Sequence, residues 1–178
     1  MKKPIVSIIM GSDSDLGIMQ DTARVMEEFG VAYEISIVSA HRTPKRSFEY
    51  ANALAKRGIK VIIAGAGGAA HLPGVIAALT PLPVIGVPIK AKSLEGLDSL
   101  LSIVQMPPGI PVATVGINSA KNAGVLAVSI LGTSDKRLMR KIINYKKKLA
   151  KQVEEKAEKL EKIGYKQYLN ESNKNSKS

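Results

Sequence analysis

Ile5-Val6-Ser7-Ile8-Ile9-Met10 runs directly into Gly11-Ser12-Asp13-Ser14-Asp15. The first six residues are apolar at odd and even positions alike, with Ser7 the one interruption. A strand with one wet face alternates. A strand without alternation is buried on both faces, as in a parallel sheet covered by helices. The run is too short for a signal-peptide core or a membrane span, so it reads as the opening strand of a soluble, cytoplasmic protein with no membrane partner. Behind the turn, Leu16, Met19, Ala23 and Met26 share one helical face, and Ser12 with Asp15 has the spacing of a capping box. Gly30 stops that helix, and residues 31–38 make a second strand.

The same unit then repeats. Ser39-Ala40-His41-Arg42-Thr43-Pro44 leads from the second strand into a helix reaching about Arg57, with Thr43 as N-cap and Pro44 at the first helical position. Lys60-Val61-Ile62-Ile63-Ala64 is a third strand, ending in Gly65-Ala66-Gly67-Gly68-Ala69-Ala70-His71-Leu72-Pro73-Gly74. A short apolar helix is expected at about 73–80 and a fourth strand at Pro83–Val87. Ser93 to Val104 reads as an amphipathic helix using Leu94, Leu97, Leu101 and Val104. A loop at Gln105–Gly109, a fifth strand at Val112–Val115 and an apolar helix over 119–131 complete the pattern. Short connections between alternating strands and helices predict an α/β fold: a flavodoxin-like, doubly wound, parallel five-stranded sheet in three layers. Ligands of such sheets bind outside the carboxyl ends of the strands. Loops 11–15, 39–44 and 65–74 are expected on that rim, with 105–109 crossing the same region.

Residues 135–169 have another character. Leu138, Ile142, Tyr145, Leu149, Val153, Ala157, Leu160 and Ile163 recur every three or four positions among lysines and glutamates. One helix of that span is roughly 45 Å long at 1.5 Å per residue, whereas a domain of this size is only about 40 Å across. The long C-terminal helix is therefore expected to pack on a neighbouring subunit of an oligomer, with 1–134 as the domain that holds the chemistry. Residues 170–178 are expected to be a disordered tail.

The formal charge of +11 points to nucleic acid until its location is read. Residues 1–135 carry twelve basic and ten acidic side chains, and residues 136–178 carry fourteen and five. The excess lies on the terminal helix and tail, where it reads as a solvated face, and no nucleic-acid-binding motif accompanies it. Nucleic acid is not an expected partner. The absence of cysteine removes disulfides, thiolate metal sites and a thiol nucleophile.

Of the turns, 11–15 offers backbone amides and hydroxyls at a helix start, suited to a phosphate, with Asp15 suited to ribose hydroxyls; the same residues would serve equally as a helix cap. The glycines of 65–70 allow close approach of a flat ligand or simply a tight turn. His71 packs against a pocket, caps a helix or lies on the surface. His41 is the sharper case: histidine titrates near neutral pH, and Arg42 beside it is a fixed cation. With no metal cluster or nucleophile in view, proton transfer by a lone histidine is the chemistry left to it, against the plainer reading of a loop histidine bonded to backbone.

Met10-Gly-Ser-Asp-Ser-Asp15, Ser39-Ala-His-Arg-Thr-Pro44, Gly65-Ala-Gly-Gly-Ala-Ala-His-Leu-Pro-Gly74 and Gln105-Met-Pro-Pro-Gly-Ile-Pro-Val-Ala-Thr114, with Asn122-Ala123, occur in this order. Together they resemble the catalytic-subunit family of phosphoribosylaminoimidazole carboxylase, in its bacterial mutase class, over about residues 4–134. The resemblance implies an octameric enzyme of purine synthesis that converts N5-carboxyaminoimidazole ribonucleotide to 4-carboxy-5-aminoimidazole ribonucleotide, with no metal, ATP or biotin as cofactor. It implies His41 as the general acid/base. Ser12, Asp15, Ser39 and Arg42 would bind the phosphoribosyl-imidazole substrate, with Gly67 and His71 on a second active-site loop. Asp13, Leu16 and Val75 depart from common family choices without removing a matched residue. Two rivals stay open: a direct carboxylase taking aminoimidazole ribonucleotide and CO2, and a non-catalytic flavodoxin-like nucleotide-binding module.

Overall fold

The computed structural model describes residues 3–175. Five strands form one parallel sheet: β1 (Val6–Met10), β2 (Tyr33–Ile37), β3 (Val61–Gly67), β4 (Val84–Ile89) and β5 (Ala113–Thr114), in the order β2-β1-β3-β4-β5. β1 and β4 are buried along their whole length, which is why neither alternates in sequence. The chain runs outward from β1 to β2 and then returns to β3 on the other side of β1. That reversal opens a crevice at the carboxyl ends of the strands.

The helices are α1 (Leu16–Phe29), α2 (Pro44–Arg57), α3 (Leu72–Leu79), α4 (Leu97–Val104), α5 (Ala120–Gly132) and α6 (Lys136–Asn175). Successive strand residues point to opposite faces. On one face Ile9, Ile62, Ala64 and Val84 pack with Leu54 of α2, Ile76 of α3 and Ile103 of α4. On the other, Gly65 faces Met19 of α1 so closely that an added Cβ would come within 2.4 Å of its sulfur. α5 seats against α1 by a similar approach, Gly124 against Val25. The doubly wound architecture read from the sequence is the observed one.

Three details differ from the expectation. The segment 94–104 turns its leucine stripe outward: Leu94 just before α4, and Leu97, Leu101 and Val104 on it, are 46–69% exposed. Its inward face carries Ser99 and Ile103, both fully buried. The Ser99 hydroxyl is hydrogen-bonded inside, so the buried face did not look apolar. The loop 105–109 precedes β5 and thus lies at the amino ends of the parallel strands. There, Gly109, Ile110 and Pro111 line a separate hollow with residues 77–84.

The third difference concerns the C-terminal helix. The chain divides after Leu138 into two compact units. α6 begins with Asp135 accepting from the Arg137 and Leu138 amides at 2.8 and 3.2 Å, a side-chain cap. Within the second unit, Gly164 leaves the helical region (φ 74°, ψ 159°), a conformation open essentially to glycine alone. Lys159 and Glu171 form an ion pair 2.5 Å apart across this break. In a straight helix those residues would be separated by about 18 Å, so the chain reverses at Gly164. Residues 170–175, expected as disordered tail, continue the helical segment, and 176–178 lie outside the described residues. No helix among the described residues is long and apolar enough to cross a membrane.

Candidate functional site

The crevice is a cavity of about 940 Å³ lined by the turns that leave β1, β2, β3 and β4. It gathers every residue singled out from the sequence: Ser12, Asp15, Ser39, His41, Arg42, Gly67 and His71. It also includes Lys90, Lys92, Glu95 and Asn118, which the sequence reading missed. The rule that identified the other turns, applied to the end of β4, would have found the first three. Residues 105–109 take no part in the lining, for the reason given by their position at the other end of β5.

The turn after β1 is tied to itself. Ser12 is the N-cap of a single 3-10 turn, Asp13–Asp15, and the capping box is complete: Asp15 Oδ2 accepts from the Ser12 amide at 3.1 Å. Ser12 Oγ accepts from the Ser14 amide at 3.4 Å and donates to Asp13 at 3.0 Å. Burial pushes the Asp15 carboxyl up from its ordinary range, against hydrogen bonds that pull it down. Asp13, fully exposed, is held below its range, first by the Ser12 hydroxyl.

The turn after β2 is equally self-contained. Thr43 occupies the cap position of α2, yet its side chain does not cap the helix. Its hydroxyl instead donates to the Ser39 carbonyl at 3.0 Å and accepts from the Ser39 amide at 3.2 Å. Ser39 Oγ accepts from the Arg42 amide at 3.2 Å. These bonds fix a short loop from which His41 and Arg42 project. Arg42 reaches the neighbouring turn and donates to the Gly11 carbonyl at 3.0 Å, joining the β1 and β2 ends.

The third wall follows β3. Gly67 lies at the cavity face, where an added Cβ would sit 3.2 Å from the Ile89 carbonyl oxygen. The fully buried Ser99 accepts from the Gly68 amide and donates to the Ile89 carbonyl, both at 2.8 Å. That hydroxyl clamps the β3 turn to the end of β4. His71 stands just before α3, at its cap position. His41 Nε2 and His71 Nδ1 are 2.8 Å apart, with the rings edge-on at 89°. His41 is therefore not the lone histidine expected; the two histidines of the chain form one hydrogen-bonded pair. Among the described residues no group of three or more His, Cys, Asp or Glu side chains is placed to hold a metal.

What this arrangement can do is bind an anion at the β1 and β2 turns and move a proton at the histidine pair. Fold and pocket define a doubly wound α/β protein with a polar cavity at the carboxyl ends of its strands. The AIR carboxylase family model matches residues 5–152, and the chain belongs to that family. It is 64% identical to N5-carboxyaminoimidazole ribonucleotide mutase of Pyrococcus horikoshii, over 96% of this chain and 96% of that one. It is likewise 64% identical to the protein of the same name from Thermotoga maritima, over 94% and 98% of the two chains. Among solved structures, that of Treponema denticola PurE superposes with a TM-score of 0.79 at 30% identity, covering 91% of this chain and 99% of that one.

Proposed function

We propose that this pocket interconverts N5-carboxyaminoimidazole ribonucleotide and 4-carboxy-5-aminoimidazole ribonucleotide, an isomerisation within purine biosynthesis. The observation that carries the mechanism is the His41–His71 contact inside a cavity whose neighbouring wall is built for an anion. Near-full-length relatives of the same name support the substrate.

The reaction asks little of the protein chemically. The carbamate N–C bond breaks, its electron pair returns to nitrogen, and that nitrogen takes a proton. C4 of the imidazole then bonds to the released CO2, and C4 gives up its proton to restore aromaticity. One proton is delivered and one is recovered, so a single imidazole finishes in its starting state without any co-reactant. His41 is the group we assign to both transfers. His71, at hydrogen-bond distance from Nε2, orients that ring and shares the proton on it. Arg42 and the 11–15 turn hold the phosphate. Ser39 fixes the loop that presents the histidine, and the Gly67 wall lets the ring approach closely. A site that holds CO2 beside C4 gains from the high effective concentration of an unescaped reactant.

We also assign the chain to the cytoplasm and to a homo-octamer. The outward stripe of Leu94, Leu97, Leu101 and Val104 supports assembly, since a lone subunit has no use for it. Light scattering at micromolar concentration checks this, and a monomer would contradict it. The decisive assay supplies the carbamate to wild type and to His41→Asn, and follows product spectroscopically. Turnover by the wild type, with substrate binding but no turnover by the variant, is the expected result. Efficient product formation from aminoimidazole ribonucleotide and bicarbonate, but none from the carbamate, would replace the mutase by a direct carboxylase. Binding without turnover by the wild type would leave only a nucleotide-binding module.

A further inference from the structure

The cavity has a second cationic wall that the mechanism above does not use. It is the turn after β4, where Lys90, Lys92 and Glu95 all face the cavity. β4 lies two strand positions from β1, about 10 Å at the usual strand spacing. Of the histidine pair, His71 follows β3, which lies between β1 and β4, and His41 follows β2, on the far side of β1. The pocket thus has Arg42 at its β2 end and Lys90 at its β4 end, with the His41–His71 contact reaching from the first towards the second.

The backbone of this turn is built rather than loose. The Lys90 amide donates to Asn118 Oδ1 at 2.9 Å, and the Asn118 amide donates to the Pro88 carbonyl at 2.8 Å. Gly96 closes back on its start: an added Cβ would come within 3.1 Å of Lys90 Cα and 2.9 Å of Ile117. To make that closure Leu94 and Glu95 both take positive φ, 51° and 55°. Side chains other than glycine rarely adopt this region, and such residues collect where a loop has a task beyond connection. The outcome is that Glu95 is folded back onto Lys90 in an ion pair across the mouth of the turn. Both side chains are substantially exposed, so the pair contributes little to folding. Lys92 beside it has no ion-pair partner among the described residues.

We propose that Lys90 recognises the carboxylate of the nucleotide, with Glu95 as an internal stand-in for that carboxylate in the empty pocket. This rests on the mutase reading, which supplies a ligand with a phosphate at one end and a carboxylate on its base. Arg42 and the β1 turn occupy the phosphate end, which leaves the β4 lysine for the other anion. When ligand enters, one carboxylate replaces another on the same ammonium group, and no cation is left unpaired. Lys90 pairs with the carboxylate in substrate and product alike, but not with neutral CO2 between them. Its contribution therefore lies in affinity for both nucleotides rather than in the chemical step.

The experiment compares binding of 4-carboxy-5-aminoimidazole ribonucleotide with binding of aminoimidazole ribonucleotide, which lacks the carboxylate, using wild type, Lys90→Gln and Glu95→Gln. Lys90→Gln is expected to weaken the carboxylated nucleotide about tenfold, as for one lost charged hydrogen bond, and to leave the other nucleotide unchanged. In turnover KM should rise and kcat should not fall. Glu95→Gln, which removes the competitor, should tighten the carboxylated nucleotide selectively. Equal weakening of both nucleotides by Lys90→Gln, or no effect on either, overturns the assignment. So does a Glu95→Gln protein that binds the carboxylated nucleotide less well. If wild type bound neither nucleotide, the mutase reading itself would fall, and this inference with it.

Discussion

His41 Nε2 and His71 Nδ1 meet at 2.8 Å although the strands behind their loops, β2 and β3, are separated by β1. Neither loop would hold its histidine there alone. The Ser39–Thr43 bonds brace one side and the Ser99 clamp braces the other. Substituting His71 by Asn keeps a polar group but breaks the pair. We expect kcat to fall roughly tenfold or more, as for one lost hydrogen bond to an ionisable group, with KM changed less. The pH–rate profile of His71→Asn should also shift from that of wild type. Unchanged kcat and profile would reduce His71 to a wall residue.

Arg42 is expected to act on binding. Arg42→Ala removes a charged donor from the proposed phosphate end and the link to Gly11. KM should rise roughly 10- to 100-fold, the equivalent of about 1.5–3 kcal/mol for hydrogen bonds to a charged group. Lysine should restore only part of this, because it lacks the planar fork of donors. An unchanged KM would remove Arg42 from the phosphate end.

Ser99 offers a test of how the β3 turn is held. Ser99→Ala leaves the Gly68 amide and the Ile89 carbonyl without their shared partner in a buried place. The cost is expected to be about 1–3 kcal/mol of stability, measured by denaturant unfolding. Because Gly68 leads to His71, turnover should decline as well. Full stability in Ser99→Ala would show that these backbone groups find partners elsewhere.

The pH dependence of stability should expose Tyr50. Its hydroxyl donates to Glu34 at 2.6 Å and contacts Ser7 Oγ at 2.9 Å, while Arg57 pairs with Glu34 and lies over the ring. Burial first, and the Glu34 hydrogen bond second, push the phenol up to about 12. The folded protein thus keeps a proton that the unfolded chain gives up near pH 10. The resulting stabilisation is complete below about pH 10 and is lost as pH rises towards 12. Unfolding of wild type and Tyr50→Phe across this range should show the advantage of wild type shrinking with pH. An advantage that stays constant or grows would contradict the shift.

Gly164 is the point at which α6 reverses. Gly164→Ala places a Cβ at φ 74°, ψ 159°, a strain of order 1–3 kcal/mol. The Lys159–Glu171 pair should open, and helix content by circular dichroism should rise as the segment straightens. No change in either would contradict the reversal.

The sheet was legible because its central strands β1, β3 and β4 are buried on both faces, and Val6–Met10 or Val84–Ile89 can hardly be read as anything else. The turns after β1, β2 and β3 were legible for the same reason, since a parallel sheet puts all such turns at one end. The α4 stripe misled because its phase was taken from the leucines, whereas the inward face depends on a serine whose partners lie thirty-one and ten residues away. The Gly164 break was missed although it directly follows Ile163, the last residue of the apolar period, because a single glycine does not by itself end a helical pattern. The histidine pair was invisible in principle: the residues are thirty apart, and only the strand order brings them together.

That strand order has a consequence for dissecting the molecule. A cut at the Gly58 turn, between α2 and β3, would leave one histidine on each fragment. The first fragment would carry β1 and β2 with Arg42, and the second β3 to β5 with Ser99 and Lys90. Neither piece contains half a reaction; each contains none. Restored turnover on mixing such fragments would report the pairing of β1 with β3, which makes the catalytic contact a reporter of how the sheet assembles.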